Sequence, residues 1–403
     1  MKICMVARTT LNHSPGGMQE DLRTLAEGAV KAGHRVIVIT TRHPDGMSES
    51  GTRGVEIQYL QDTIPESYKG GFHSKAYQRF AELDREIGFD LVHSESFAAL
   101  AFSGKIRQPI VARFHGVWFS ESDYAPLVWR MLTFRERVEA LLRFPGVYRN
   151  HRRMQWFGTR VDRILVVSQF AFRELLRTNR RLDPSKVRRI YNGVDVEKFR
   201  PLERETAKQQ LGLRGIVLLF LSRLSVTKGA RLALRAFEGL NRNNVTLVIA
   251  GEGLDRPYLE AYVKRRRITG VRFCRICADQ RALYYSAADL FLYPELTQPA
   301  FGLVGAEALA CGVPVIGSRH GAIPEVLGET EIFFTPGDTN DLRQKIATAL
   351  DNLPQLQSLA SVRRDRVLRL FSSERMLSSV LDEFQVILSG ADRPGVQKEK
   401  GSM

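Results

Sequence analysis

The sequence predicts an α/β protein made of two doubly wound, Rossmann-like domains. Three observations predict it. A chain of 403 residues is longer than one ordinary core supports and suits two domains of about 200 residues each. Short, nearly unbroken apolar runs, such as IVLLFL at 216–221 and ADLFLY at 288–293, have the composition of parallel strands buried on both faces. These runs alternate with helix-like segments that open on glycine-bearing loops, which is the pattern of βαβ units.

In the first half, 2–8 reads as a strand, 12–17 (NHSPGG) as a loop and 18–32 as a helix. Leu22, Leu25, Ala29 and Val30 recur there at helical spacing. Gly33 suits the helix C-terminus, and 36–39 (VIVI) is the next strand. The loop is not G-x-G-x-x-G, so the dinucleotide fingerprint is missing. Segments 89–93 and 110–115 read as strands that each end in a histidine, His93 and His115. Ligands of open α/β sheets gather at strand carboxyl ends, so placement singles these histidines out. Segment 161–168 is a further strand, with Ser168 as N-cap of a helix over 169–178.

Between these lies 127–163, where Trp129, Met131, Phe134, Leu141, Leu142, Phe144 and Trp156 interleave with Arg130, Arg135, Arg137, Arg143, Arg149, Arg152, Arg153 and Arg160. Such a segment either lies on an anionic membrane surface or forms a helical hairpin with its apolar face on the domain and its arginines in water.

In the second half, strand 216–221 delivers Arg223 and Lys228, two cations flanking a loop at a strand end. They can neutralise a diphosphate and stabilise it as a leaving group. Strand 246–250 leads to Gly251-Glu252-Gly253. The stretch 294–312 (PELTQPAFGLVGAEALACG) joins two strands through Phe301-Gly302 and a helix that starts near Leu303. A glycine turn at a helix N-terminus is an anion site. Glu307, one turn in, is placed to accept hydrogen bonds from a ribose diol. The tail from 389 is polar and reads as disordered.

Composition narrows the classes. Apolar residues make up 44%, normal for a soluble globular protein. No run reaches the ~18 apolar residues of a membrane span. The start, MKICMVARTT, lacks a signal-peptide core, so a cytosolic location is expected. Cys4, Cys274, Cys277 and Cys311 include one C-x-x-C without a second pair or a nearby histidine, which reads as packing rather than zinc. The formal charge of +15 implies an anionic partner: nucleic acid, anionic lipid or nucleotide phosphate. No helix-turn-helix, zinc-finger or RNA-binding signature accompanies it, which argues against nucleic acid.

The run FGLVGAEALACGVPVIGS, followed by GAIPEVLGE, resembles the C-terminal signature of the GT-B glycosyltransferases of family 4, retaining enzymes that use nucleotide-sugar donors. NGVDVEKFRP at 192–201 resembles the family's interdomain crossing, and R-x(4)-K-G at 223–229 its phosphate-binding run. The resemblance implies GT-B architecture. An acceptor-binding domain over 1–195 faces a nucleotide-sugar-binding domain over 196–375 across a cleft. A helix over 376–390 crosses back to the first domain, and 391–403 is a tail.

It also implies roles. Gly16 and Gly17 approach donor phosphate or acceptor, and His115, within FHGVW, lines the site near the transferred sugar. Arg223 and Lys228 hold the diphosphate, with Gly251 and Gly253 near the nucleotide. Arg275 and Ile276 run beside the base, while Phe301, Gly302, Leu303 and Glu307 form the donor turn. One departure stands out: eight residues before Glu307, where the family places a second glutamate, this chain has Pro299. Gln298 or Glu295 is left to substitute, or backbone amides alone hold the sugar.

The expected activity is sugar transfer from a nucleoside diphosphate to a hydroxyl of a glycan or glycolipid of a bacterial envelope. The nucleotide sugar is substrate, no cofactor is expected, and no D-x-D run suggests a metal. Two other readings stay open: a GT-B nucleotide-sugar epimerase, and an inert nucleotide- or lipid-binding scaffold motivated by Pro299.

Overall fold

The computed structural model describes residues 1–14, 16–116, 126–240, 242–275 and 278–390. The first part of the chain runs β1 (Lys2–Val6), α1 (Gly17–Lys31), β2 (Arg35–Thr41), β3 (Glu49–Thr52), β4 (Val55–Leu60), α2 (Phe72–Ile87), β5 (Leu91–Glu95), β6 (Ile110–Phe114), α3 (Pro126–Met131), α4 (Phe134–Gly158), β7 (Arg163–Val166), α5 (Gln169–Thr178) and β8 (Val187–Arg189). These strands form one sheet in the order β3-β4-β2-β1-β5-β6-β7-β8. Only β3, at the edge, is antiparallel to its neighbour. Burial of all residues from Ile3 to Val6 explains why β1 is apolar throughout: helices cover both faces.

The second part continues with α6 (Arg204–Gln210), β9 (Ile216–Leu221), α7 (Ala230–Glu238), β10 (Val245–Ala250), α8 (Arg256–Arg266), β11 (Val271–Cys274), α9 (Arg281–Ala287), β12 (Leu290–Tyr293), α10 (Leu303–Ala310), β13 (Val315–Ser318), α11 (Ile323–Leu327) and β14 (Ile332–Phe334). It ends in α12 (Thr339–Asp351), α13 (Leu353–Ser358), α14 (Ala360–Leu370) and α15 (Ser373–Ser389). The second sheet is parallel, in the order β11-β10-β9-β12-β13-β14. In each sheet the strand order reverses beside the first strand, at β1–β5 and at β9–β12. A doubly wound sheet opens its ligand crevice at that point.

The chain crosses between the sheets twice at one place. Val194 pairs with Ser372 as an isolated parallel bridge, and Arg364 ties the crossing with bonds to the carbonyls of Val196, Phe199 and Ala310. From there α15 returns to the first sheet, where Met376, Val380 and Phe384 share a core with Leu22, Leu25 and Ala29 of α1. Gly28 lets it approach, since a Cβ there would lie 2.5 Å from Leu377. Burying each such side chain is worth about 1.5–3 kcal/mol.

The segment over 127–163 divides its tasks. Its α3 docks on the second domain, with Val128 fully buried in that domain's core beside Leu224 and Ala230. Arg231 of α7 donates to the Met131 carbonyl at 2.8 Å and to Glu136 at 2.9 Å. Thr133 and Glu136 form a capping box that starts α4. A cavity of about 470 Å³ lies between α3 and the loop over 335–340, and none of the candidate donor residues lines it. The last turns of α4 pack on the first domain through Met154 and Phe157, while its middle, 141–145, is exposed. The arrangement is therefore neither a packed hairpin nor one continuous surface helix.

Candidate active site

On the second-domain side, β9 ends at Leu221 and the loop after it carries both predicted cations. Arg223 is exposed, and its side chain makes no hydrogen bond or ion pair among the described residues. Lys228 Nζ donates to Glu295 Oε2 at 2.8 Å. Glu295 is fully buried, and Thr297 Oγ1 donates to its other oxygen at 2.6 Å. Gly229 has φ +77°, and a Cβ there would lie 1.8 Å from the Pro294 carbonyl oxygen. Only glycine lets this loop lie against the end of β12.

Gly251 and Gly253 have a packing task. A Cβ on either would lie 2.0 Å or 2.1 Å from the carbonyl oxygens of Ser222 and Leu224. The two strand-end loops touch backbone to backbone, with Leu224 N donating to Glu252 O at 2.7 Å. Arg275, expected beside the base, ion-pairs with Glu252 at 2.8 Å and is largely exposed. Ile276 and Cys277 lie outside the described residues.

At α10, Gly302 (φ +98°) is the residue before the first helical turn. The Phe301 ring, predicted to contact donor, is instead buried among aromatics, with centroids 6.1 Å from Tyr191 and 5.4 Å from Phe371. A phenyl ring finds more apolar contact there than in a wet crevice. Leu303 reaches the first domain: its Cδ1 lies 2.9 Å from where a Gly17 Cβ would sit. The N-termini of α1 and α10 thus meet across the cleft, which brings together Gly16, Gly17, Gly302 and Leu303.

Glu307 is buried, and both carboxylate oxygens have partners, Arg281 Nη2 and Tyr285 Oη. Burial raises its pKa, with the Arg281 charge opposing the shift. Gln298 is exposed. Pro299 is buried, with its ring beside Gly321, and its carbonyl accepts from Ala322 N at 2.9 Å. Of the two substitutes considered for the missing glutamate, only Glu295 is tied to a candidate phosphate-binding cation.

On the first-domain side, His115 sits one residue past β6. Its Nε2 lies 2.6 Å from Glu95 Oε2 and 3.6 Å from Asp21 Oδ2. The other Glu95 oxygen bonds His93 at 3.0 Å, so His93 supports the site from within the core. Asp21, from α1, accepts two bonds from the buried Arg113, at 2.7 and 3.1 Å. Arg113 also donates to Asn192 Oδ1 at 3.1 Å. Burial opposes protonation of His115, but Glu95 and Asp21 outweigh it and raise its pKa. Burial likewise opposes ionisation of Glu95, yet His115 and His93 hold its carboxyl well below the usual range. Ligand atoms of Asp21, Glu95 and His115 lie within 4.8 Å of one another, but Arg113, His93 and His115 already bond those oxygens, which makes this a network of ion pairs and hydrogen bonds.

Glu325 joins the domains. Its oxygens accept from the backbone amides of Gln169 (2.7 Å) and Phe170 (3.0 Å), the first two of α5, and from Tyr191 Oη (3.0 Å). Ser168 caps the third, accepting from Ala171 N at 2.9 Å. Glu325 is thus a cap placed on one domain by the other.

Sequence reasoning missed Asp21, Glu95, Arg113, Arg281 and Tyr285. The available signal was strand alternation: His93 and Glu95, like Arg113 and His115, are two apart and share a face.

Comparison with known proteins agrees with this geometry. The profile of Glycosyltransferase Family 4 matches residues 15–198, and that of Glycosyl transferases group 1 matches 215–352. D-inositol 3-phosphate glycosyltransferase 2 of Catenulispora acidiphila is 32% identical over 186 residues, 42% of this chain and 43% of that relative's length. The alpha-monoglucosyldiacylglycerol synthase of Streptococcus pneumoniae is 24% identical over 363 residues, 84% of this chain and 76% of that protein. The structure of Anabaena HepE in complex with UDP and glucose superposes with a TM-score of 0.74 at 20% identity, covering 96% of this chain and 99% of that one. No helix among the described residues is long and apolar enough to cross a membrane. With both sheets wound in the same sense and both family profiles matched in sequence order, the chain belongs to glycosyltransferase family 4 and has the GT-B fold.

Proposed function

We propose that the protein transfers a sugar, with retention, from a nucleoside-diphosphate sugar to an acceptor hydroxyl of a glycan or glycolipid of the cell envelope. One observation carries the reading. Arg223, whose side chain has no partner among the described residues, and Lys228 stand at the strand ends of the second sheet, whose α10 meets the N-terminus of α1 across the cleft at Leu303 and Gly17. Cations and unpaired helix amides together favour a diphosphate, most of all as it departs. The His115 ring, held by Glu95 on the first-domain side, is the reading's candidate donor of a hydrogen bond to the sugar. Glu95 is committed to two histidines and so is not placed as a free nucleophile. The departing diphosphate is then the base that takes the acceptor's proton, and no metal is assigned to the step.

HepE was solved with UDP and glucose, which puts uridine nucleotides first in the test. The lipid product named for the pneumococcal relative supports a glycolipid acceptor, reached at the cytoplasmic face of a membrane that the protein contacts peripherally through 127–163. The test is a thermal-shift panel of UDP, GDP, dTDP and ADP with their sugar conjugates, followed by donor hydrolysis. A selective shift with slow hydrolysis is expected. Binding without any turnover favours the second reading, an inert scaffold, which rests on Pro299 and on the fully bonded Glu307. Absence of any shift refutes both.

A further inference from the structure

Arg8 is a half-buried arginine without a counter-charge. It lies two residues past Val6, at the end of β1, where the order of the first sheet reverses. Register places Val6 opposite Ser94 and Ser94 opposite Ala112, so the loop carrying Arg8 leaves the sheet at the same edge as Glu95 and His115. Its side chain makes no hydrogen bond or ion pair among the described residues, and its Nε is buried without an acceptor. Buried arginines elsewhere are held by acids: Arg113 by Asp21, Arg231 by Asp255 and Arg363 by Glu331. An acid also stands in the loop after β4, yet it is turned away from Arg8. Glu66 accepts from Thr9 Oγ1 at 3.2 Å and from Ser14 Oγ, and its amide donates to Thr41 Oγ1 at 3.0 Å. Thr41 in turn donates to the Arg8 carbonyl at 2.8 Å, which fixes the backbone from which the guanidinium extends.

Tyr68 joins Arg8 to a second orphaned group. The Arg8 guanidinium carbon lies 5.2 Å from the centre of the Tyr68 ring, a cation–π contact that positions the charge without neutralising it. Burial pushes the Tyr68 hydroxyl up to about 12, with Arg8 opposing and Glu95 adding to the rise. The ring is therefore within electrostatic reach of both Arg8 and the Glu95–His115 pair. His73, in the first turn of α2, stacks on Tyr68 at 5.0 Å and 13°, and its Nδ1 lies 2.9 Å from the Ala98 carbonyl oxygen. A ring nitrogen facing a carbonyl carries the proton, which leaves Nε2 an acceptor, buried and without a partner among the described residues. Burial lowers the His73 pKa, the Ala98 carbonyl opposes this, and the charge of Arg153 on α4 adds to the lowering. Buried polar groups are almost always paired, so two orphans around one ring call for a ligand. We propose that Arg8 binds an anionic group, a phosphate or a carboxylate, on the acceptor, while a hydroxyl of the same molecule donates to His73 Nε2. A guanidinium presents a fork of N–H donors matched to either anion, and Arg153 adds a second positive charge near His73.

Only the ligand's role as acceptor rests on the glycosyltransferase reading; the test of the site does not. The full chain and its Arg8→Gln, Arg8→Lys and Arg223→Ala forms are melted in chloride. They are then melted at equal ionic strength in inorganic phosphate, glucose 6-phosphate or glucuronate, with glucose as the neutral control. At least one anion is expected to raise the melting temperature of wild type and of Arg223→Ala alike, with apparent affinity about tenfold or more lower in Arg8→Gln. Arg8→Lys keeps the charge but loses the fork, and should retain part of the response. A response confined to the two phosphates assigns a phosphorylated ligand, and one confined to glucuronate a carboxylate. Without ligand, Arg8→Gln should melt close to wild type, since no ion pair is lost. A marked drop there with no anion response assigns Arg8 to packing on Tyr68 and overturns the proposal. So do the absence of any anion response in wild type, a response that Arg8→Gln keeps in full, and one that Arg223→Ala loses, which belongs to the diphosphate loop. The expected anion response in a chain that ignores UDP, GDP, dTDP and ADP leaves the site standing and removes the transferase reading; a nucleotide response alone does the reverse.

Discussion

Arg223 and Lys228 share a loop but differ in what holds them, and their alanine variants should differ accordingly. The Arg223 side chain has no partner among the described residues, so Arg223→Ala should leave the unliganded stability within about 0.5 kcal/mol of wild type. A charged hydrogen-bond pair to a diphosphate is worth about 2.7 kcal/mol, so its loss weakens binding about 100-fold. At nucleotide equal to 100 times the wild-type Kd, the wild type gains about 2.7 kcal/mol and the variant only about 0.4 kcal/mol. At about 2–4 °C per kcal/mol for a domain of this size, the ligand-induced rise falls from roughly 5–11 °C to about 1–2 °C. Lys228→Ala must also leave the buried Glu295 with Thr297 alone. The lysine is about a quarter exposed, which lowers the cost of an abandoned buried charge to about 1–3 kcal/mol. The unliganded protein should therefore melt roughly 2–12 °C lower. Melting curves with and without nucleotide measure both numbers. An Arg223→Ala protein that keeps the full ligand shift would refute the assignment of this loop to phosphate.

Three further outcomes follow from the same geometry. Glu95→Gln removes the partner that raises the His115 pKa; a raised histidine pKa stabilises the fold below its unfolded value and ceases to do so as pH rises through the folded value. The melting gap between wild type and Glu95→Gln should then be widest near pH 6 and narrow toward pH 9, and a gap constant across that range would sink the ion-pair account. Glu325→Ala leaves the first two amides of α5 and Tyr191 Oη unpaired, which should cost about 2–4 kcal/mol and split calorimetric unfolding into two steps; a single transition at the wild-type temperature would show that the latch carries no coupling. Gly229→Ala forces a Cβ into the Pro294 carbonyl at positive φ and should cost about 2 kcal/mol or more, together with the nucleotide shift. Retention of that shift in a well-folded Gly229→Ala protein would free the loop from its proposed role.

The sheets were legible because parallel strands buried on both faces must be apolar along their whole length. The runs at 216–221, 288–293 and 313–317 say strand without any partner in view, and the structure puts β9, β12 and β13 there as neighbours. The hairpin of β3 and β4 was illegible for a local reason. Its turn is Arg53-Gly54, with φ +48° and +83°, and an arginine in that position hides the Asn-Gly signal on which hairpin reading depends. Gly251 and Gly253 illustrate a different limit. A glycine marks a close approach to its backbone, but sequence does not say whether a ligand or another loop approaches; here the Ser222 and Leu224 carbonyls do. The network of Asp21, Glu95, Arg113 and His115 joins α1, β5 and β6, segments up to 94 positions apart by number. Only the pairing of side chains two residues apart on β5 and on β6 foreshadows it. The split of 127–163 could not be read at all, because the composition of α3 and α4 is alike and what separates them is the α7 surface that α3 meets.

Pro299 looks like a loss when the donor loop is read as a string, and less so when its carboxylates are placed. The loop retains one buried acid, Glu295, four residues earlier, and it is bonded to Lys228 and Thr297. An ammonium has three N–H donors; Glu295 takes one and fixes the direction of the others, at the cost of cancelling the lysine's charge in the empty cleft. Under the proposed function, attraction for a diphosphate would come from Arg223 and from the amides at the starts of α1 and α10, while Lys228 would contribute position. A proline at 299 serves that arrangement. Its ring fills the space beside Gly321 and its carbonyl holds Ala322 N, which steadies the loop that carries Glu295. The loop's buried carboxylate is bonded to Lys228, whereas Arg223 is not held by any carboxylate among the described residues, and for that reason Arg223 carries the sharper binding prediction.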